Sequence, residues 1–198
     1  LRDLMGATGC LLAFYDDPGL VRDIVETYTG LWLELYSLAC DAGRVDHVHV
    51  WEDMSGKQGS LISMAMVEEF LMPSYDRVAG LARERGIPVF SVDTDGMVAE
   101  LLPVFARHGV NAFMPFEAQA GNDLLAYRRD FPTVGMMGGL DKSALARSKA
   151  DIHRELDKAA AMFAAGGWIV GFDHLIPPDV PWESYAYAVG ELERMIRG

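Results

Sequence analysis

The chain has 198 residues, 51% hydrophobic and 23% charged, with a formal net charge of -12 and an isoelectric point near 4.7. That apolar content is enough for one sizeable core and shows no signature of disorder, while the negative charge argues against nucleic acid as a partner. No apolar stretch approaches the roughly 18 to 20 residues of a membrane span, and no signal peptide opens the chain, so a soluble cytoplasmic protein is expected.

The chain enters at Leu1 with LRDLMGATGCLLAFYDDP, which reads as the middle of an alternating pattern and hence as part of a longer protein. Asp16-Asp17-Pro18 is a helix start, and Val21, Ile24, Val25, Tyr28, Trp32, Leu35 and Leu38 recur at helical spacing to about Gly43. Residues 45–51 form a strand and 55–59 a loop. A helix over about 63–85 contains Pro73, which must kink or break it, and Gly86 is its cap. A strand over 88–92 leads to a helix over 97–108, and a short strand near 111–114 leads to a helix ending near Asp130. A strand over 133–137 is followed by a helical region to about Ala165. Within it Ser148-Lys149-Ala150-Asp151 has capping spacing and divides the region in two. A strand over 168–172 and a helix over 182–197 complete the chain. Cys10 and Cys40 belong to no metal or redox motif and read as packing residues, as do the methionines at 64, 66, 72, 136 and 137.

Each strand runs into a polar tip: Glu52-Asp53, Asp93-Thr94-Asp95-Gly96, Glu117, Asp141 and Asp173-His174. Strands alternating with helices imply a parallel sheet whose C-terminal ends share one face, so the tips converge. The chain has neither GxGxxG nor a P-loop, and a tip residue after every strand favours a barrel over an open doubly wound sheet. The expected fold is α/β, an incomplete TIM-type (β/α) barrel of about five parallel strands with flanking helices, forming one domain over 1–198.

Asp93 and Asp95 are two apart and share a face if the strand continues through them. With His174 they can form a carboxylate and imidazole cluster suited to Zn, Mg, Mn or Fe, or Asp95-Gly96 simply caps the next helix. His174 can serve as acid, base, ligand or donor to substrate. Asp53 and Glu117 add carboxylates that either hold a proton or bind loop amides. Asp141 beside Lys142 reads as a structural pair. His47 and His49 share one strand face, with satisfied packing the simpler reading, and His108 and His153 are expected to face solvent.

In order, DTDG before MVAELLPVF, GVNAFMPFEAQAGND, FPTVGMMGGLDK and GFDHLIPPDVPWESY resemble successive signatures of the uroporphyrinogen decarboxylase superfamily, which includes decarboxylases and corrinoid-dependent methyltransferases. The resemblance implies an eightfold barrel of which this chain is similar to the C-terminal portion. The superfamily's arginine-rich loop and catalytic aspartate, which belong to the N-terminal strands, have no counterpart here. His174 matches a position that holds a substrate-contacting histidine in the decarboxylases and a zinc-binding cysteine in the methyltransferases, and Asp93 and Asp95 fall where the latter carry a His-x-Cys pair. Gly139-Leu140-Asp141 and Asp53 match further tip positions, and Asp173 adjoins His174.

The resemblance thus implies a site of His174, Asp93 and Asp95, with Asp53, Glu117, Asp141 and Asp173 near the substrate. An acidic mouth would repel the eight carboxylates of uroporphyrinogen, so charge favours methyl transfer between a small methylated substrate and a corrinoid carrier, with a corrinoid protein as partner. The alternatives are tetrapyrrole side-chain decarboxylation and a non-catalytic barrel fragment that binds a partner. Open sheet edges predict association with a second copy or with a missing N-terminal segment.

Overall fold

The computed structural model describes residues 1–197. Two helices come first, α1 (Arg2–Asp16), kinked at Gly6, and α2 (Pro18–Ala42). Asp17 caps α2 by accepting from the Leu20 N–H at 3.0 Å, and Pro18 occupies its first turn, where a missing N–H costs nothing. Next are β1 (His47–Trp51) and a small hairpin, β2 (Ser55–Gly56) with β3 (Gly59–Ser60), where the sequence suggests only a loop.

The helix containing Pro73 is built from α3 (Met64–Met66), a π-helical turn (Val67–Leu71) and α4 (Met72–Glu84). Pro73 thus lies at the start of α4, where its absent donor and fixed φ are tolerated, and the expected break is realised as a wider turn just before it. After β4 (Val89–Asp93), helix α5 covers only Leu101–Arg107. The expected start at 97 is not reached; residues 97 and 98 tie the β4 tip to its neighbours, the Met97 N–H donating to Gly56 O at 2.9 Å and the Val98 N–H to Asn122 Oδ1 at 3.1 Å.

β5 (Ala112–Met114), a 3-10 turn (Ala118–Ala120), α6 (Leu124–Asp130) and β6 (Gly135–Met137) follow. Then come α7 (Ala144–Arg147), α8 (Lys149–Ala165), β7 (Trp168–Ile169) and α9 (Trp182–Arg197). Ser148 divides α7 from α8 as its spacing predicts, accepting from the Asp151 N–H at 3.1 Å. Ser148→Ala is expected to lower stability by about 1 kcal/mol, read as a reduced denaturation midpoint with an unchanged slope.

The strands pair in parallel in the order β1-β4-β5-β6-β7, each beside its neighbour in the chain. A doubly wound sheet reverses its order at a switch point and this sheet does not, so the fold is an incomplete TIM-type barrel flanked by helices. Val48, Phe90, Val92, Phe113 and Met136 face the helices and form the main core with Val67, Met72, Tyr75, Leu101 and Phe105. Alternation turns His47, His49, Trp51, Ser91 and Asp93 to the other, inner face. That face is open: Trp51 is 75% exposed and Ile169 65% exposed.

Candidate active site

The tips are joined by hydrogen bonds that cross from one strand end to the next. The Glu52 and Asp53 N–H groups both donate to Asp93 O, at 2.9 and 3.2 Å, and the Thr94 N–H donates to Met114 O at 3.1 Å. Thr94, wholly buried, accepts from the Met54 N–H at 3.1 Å. Gly96 takes φ +74, and a Cβ there would sit 2.4 Å from Gly56 O, so only glycine fits this turn. Two non-glycine residues at tips, Asp53 (φ 45) and Phe116 (φ 58), also hold left-handed backbone, a form of strain that gathers at functional sites.

His174 is the centre of a row of polar groups. Its Nε2 lies 2.8 Å from Asp95 Oδ1, and its Nδ1 lies 3.3 Å from Lys142 Nζ. A lysine ammonium only donates, so Nδ1 must accept; Nε2 then carries the proton and donates to Asp95. Lys142 Nζ also donates to Asp173 Oδ1 at 3.3 Å. The Asp173 side chain is fully buried and accepts from the Ala118 N–H at 2.9 Å, which pins the β5, β6 and β7 tips to one carboxylate.

Asp93 ends β4, so the strand does not run on to Asp95 and the two side chains do not share a strand face. They remain coupled by charge. Burial first, then the charge of Asp95, raise the Asp93 carboxyl above its ordinary range, with Asp53 adding to the rise and His49 and His174 opposing it. A raised folded-state value means that ionised Asp93 costs stability at neutral pH and that this cost disappears as pH falls and the group is protonated. Asp93→Asn is therefore expected to be more stable than the parent at pH 7.5. The difference should vanish near pH 4, as checked by paired denaturation curves.

The other carboxylates named from sequence are already engaged. Asp53 takes a hydrogen bond from Arg2 Nη2 at 2.8 Å, and Glu117 accepts from the Gly96 N–H at 3.0 Å. Asp141 is not paired with Lys142, which corrects that expectation: Arg147, Gln119 and the Ser143 N–H each donate to it at 2.8 Å. Burial alone would raise the Asp141 carboxyl, but the donors from Arg147 and Ser143 outweigh it and hold the group below the usual carboxylate range. Glu52, which sequence reasoning left unassigned, accepts from Tyr75 Oη at 2.5 Å, and burial pushes its carboxyl up.

His108 does not simply face solvent, because Asp76 and Glu68 clamp its two ring nitrogens at 2.8 and 3.0 Å; His153 is exposed as expected. Among the described residues no three His, Cys, Asp or Glu side chains are grouped so as to hold a metal ion. Lys142, read from sequence only as a structural partner of Asp141, is instead part of the row around His174. Its only signal was its place one residue beyond the β6 tip.

Parallel strands in chain order, with a hydrogen-bonded acid, imidazole and ammonium row across their C-terminal ends, define an enzyme of the β/α-barrel class. The chain belongs to the uroporphyrinogen decarboxylase (URO-D) family, whose model matches residues 3–195. A comparison with curated proteins finds no match.

The family match covers nearly the whole chain and is to the decarboxylase family itself, which corrects the expectation of corrinoid-dependent methyl transfer and favours decarboxylation. It equally displaces the non-catalytic fragment, since the family is one of enzymes. The charge argument for methyl transfer overstated the free charge of the mouth. It counted Asp53, Asp93, Asp95, Glu117 and Asp173 as free charges, whereas Arg2 offsets Asp53 and Lys142 offsets Asp173. No described helix is long and apolar enough to cross a membrane.

Proposed function

We propose that the chain is a decarboxylase of the uroporphyrinogen decarboxylase kind, removing carboxyl groups from the side chains of a tetrapyrrole. The observation that carries this reading is the Lys142–His174–Asp95 row across the strand tips, in a chain of this family. Loss of CO2 breaks a carbon–carbon bond, leaves the electron pair on the substrate and requires a proton at the vacated carbon. Lys142 has three donors; Asp173 and His174 take two, and the third receives a substrate carboxylate. His174, locked as its Nε2–H tautomer, fixes Asp95 and keeps Lys142 aimed. Asp93, at the end of β4 with its carboxyl raised by burial and by Asp95, supplies the replacing proton as general acid. Asp53, Glu117, Asp141 and Asp173 hold the tips in place.

The test is to incubate the purified protein with uroporphyrinogen and follow CO2 and the porphyrinogen products. Stepwise products with fewer carboxyl groups support the reading, and unchanged substrate with no CO2 sinks it. The free thiols Cys10 and Cys40 suit a reducing, cytoplasmic setting. The open inner face and the edges β1 and β7 suit association with a second copy or with further barrel strands, and a stable monomer in sedimentation would count against that.

A further inference from the structure

The inner face of β1 and β4 carries a second polar group, apart from the row around His174. In the parallel register His47 lies opposite Val89 and His49 opposite Ser91, and alternation turns both imidazoles and the Ser91 hydroxyl to the same side. His47 Nε2 is 2.6 Å and His49 Nδ1 2.7 Å from Ser91 Oγ. Ser91 is almost wholly buried, but both histidines are exposed on the open face.

Two imidazole nitrogens thus point at one spot from residues two apart on a strand. Ser91 has one hydrogen, so it satisfies both rings only if they take opposite tautomers, one accepting and one donating. A cation near that spot takes a lone pair from each ring at once, with the ring hydrogens on His47 Nδ1 and His49 Nε2. The ring spacing suits this. An ion about 2.0 Å from each nitrogen lies about 3.2 Å from each ring centroid, so the observed 5.7 Å between centroids gives an angle of about 125° at the ion, between tetrahedral and trigonal.

We propose that His47 and His49 form a binding site for a divalent transition-metal ion, with Ser91 Oγ and water completing its shell. Imidazole donors favour Cu2+ ahead of Zn2+, whereas Mg2+ and Ca2+ demand sets of oxygen ligands that this face does not offer. No third His, Cys or acid joins the pair among the described residues, so the ion is held by fewer protein ligands than a permanent zinc centre and exchanges with solvent through the open face. Burial and the neighbouring His49 lower the proton affinity of His47, so that ring is uncharged at neutral pH and loses no proton on binding. Because the donors come from two strands, a bound ion ties β1 to β4. The site needs no substrate and stands whether or not the chain is a decarboxylase.

The test uses the full chain, freed of metal by a chelator and titrated with Zn2+ and Cu2+ by calorimetry. The histidine ring resonances are followed by NMR during the Zn2+ titration. One ion is expected per chain, bound more tightly as Cu2+ than as Zn2+, with the His47 and His49 resonances shifting together and saturating at one equivalent. Mg2+ should give no heat. His47→Gln and His49→Gln should each weaken binding at least about tenfold, and Zn2+ should raise the thermal midpoint of the parent but of neither variant. His153→Gln is the control and should bind as the parent does. Binding that survives both strand substitutions, shifts at His108, His153 or His174 in place of His47 and His49, or no heat with either ion overturns the site. Both side chains are exposed, so the variants should fold; if one does not, the ring resonances of the parent decide the matter alone.

Discussion

Lys142→Met is expected to lower CO2 release from uroporphyrinogen at least about a hundredfold, the largest functional effect of any single change in this chain. The ammonium serves three needs: it neutralises the fully buried Asp173, fixes the His174 tautomer through Nδ1, and keeps a donor for substrate. Removing it leaves Asp173 with amide donors alone, and breaking a buried pair from one side costs about 3 kcal/mol. Stability and function must therefore be separated. Lys142→Met combined with Asp173→Asn removes both charges and should recover much of the lost stability while CO2 release stays low, as read by denaturation and product analysis of the same preparations. Recovered activity in the double variant would remove Lys142 from the proposed site.

Arg128→Met is expected to lower stability by about 3 to 5 kcal/mol, or roughly 10 °C in midpoint for a chain of this size. The guanidinium is buried and donates to four backbone carbonyls: Val134 and Gly167 at 2.8 Å, Pro132 at 2.9 Å and Phe131 at 3.4 Å. Its Nε finds no partner, and burial lowers the proton affinity of the group. Val134 and Gly167 immediately precede β6 and β7, so this clamp lies at the N-terminal ends of the strands, opposite the site. Protein that remains folded should thus keep its activity per molecule. Arg128→Lys should rescue little, because one ammonium cannot reach four carbonyls spread around a planar fork. Thermal midpoints and activity per folded molecule, measured together, check both halves of this expectation.

What could be read in the sequence was governed by local rules. The Asp17 and Ser148 caps and the punctuation at Pro73 depend on a few consecutive residues, and each falls where its spacing puts it. The five tips followed from strand and helix alternation. What could not be read depends on partners far along the chain. Arg2 reaches Asp53, Asn122 caps Val98, and Lys142 turns away from adjacent Asp141 toward Asp173. Arg128 lies in α6, yet the carbonyls that hold it belong mostly to the loop ahead of β6 and, in Gly167, to the residue before β7. The charge of the mouth was misjudged for the same reason: a sequence counts carboxylates, but only the fold shows which of them already have donors.

The strand order has a consequence for how the chain acquires its shape. Every sheet pairing joins strands that are consecutive members of the sheet, so each closes a loop of only about 20 to 40 residues, for which the entropy cost is modest. No strand waits for a distant one. During synthesis β4 emerges with β1 already present, β5 with β4, and so on to β7, so the sheet can grow by accretion in the direction of translation. The cross-tip ties set by Asp173 come last, and so the row around His174 is assembled only when nearly the whole chain has been made.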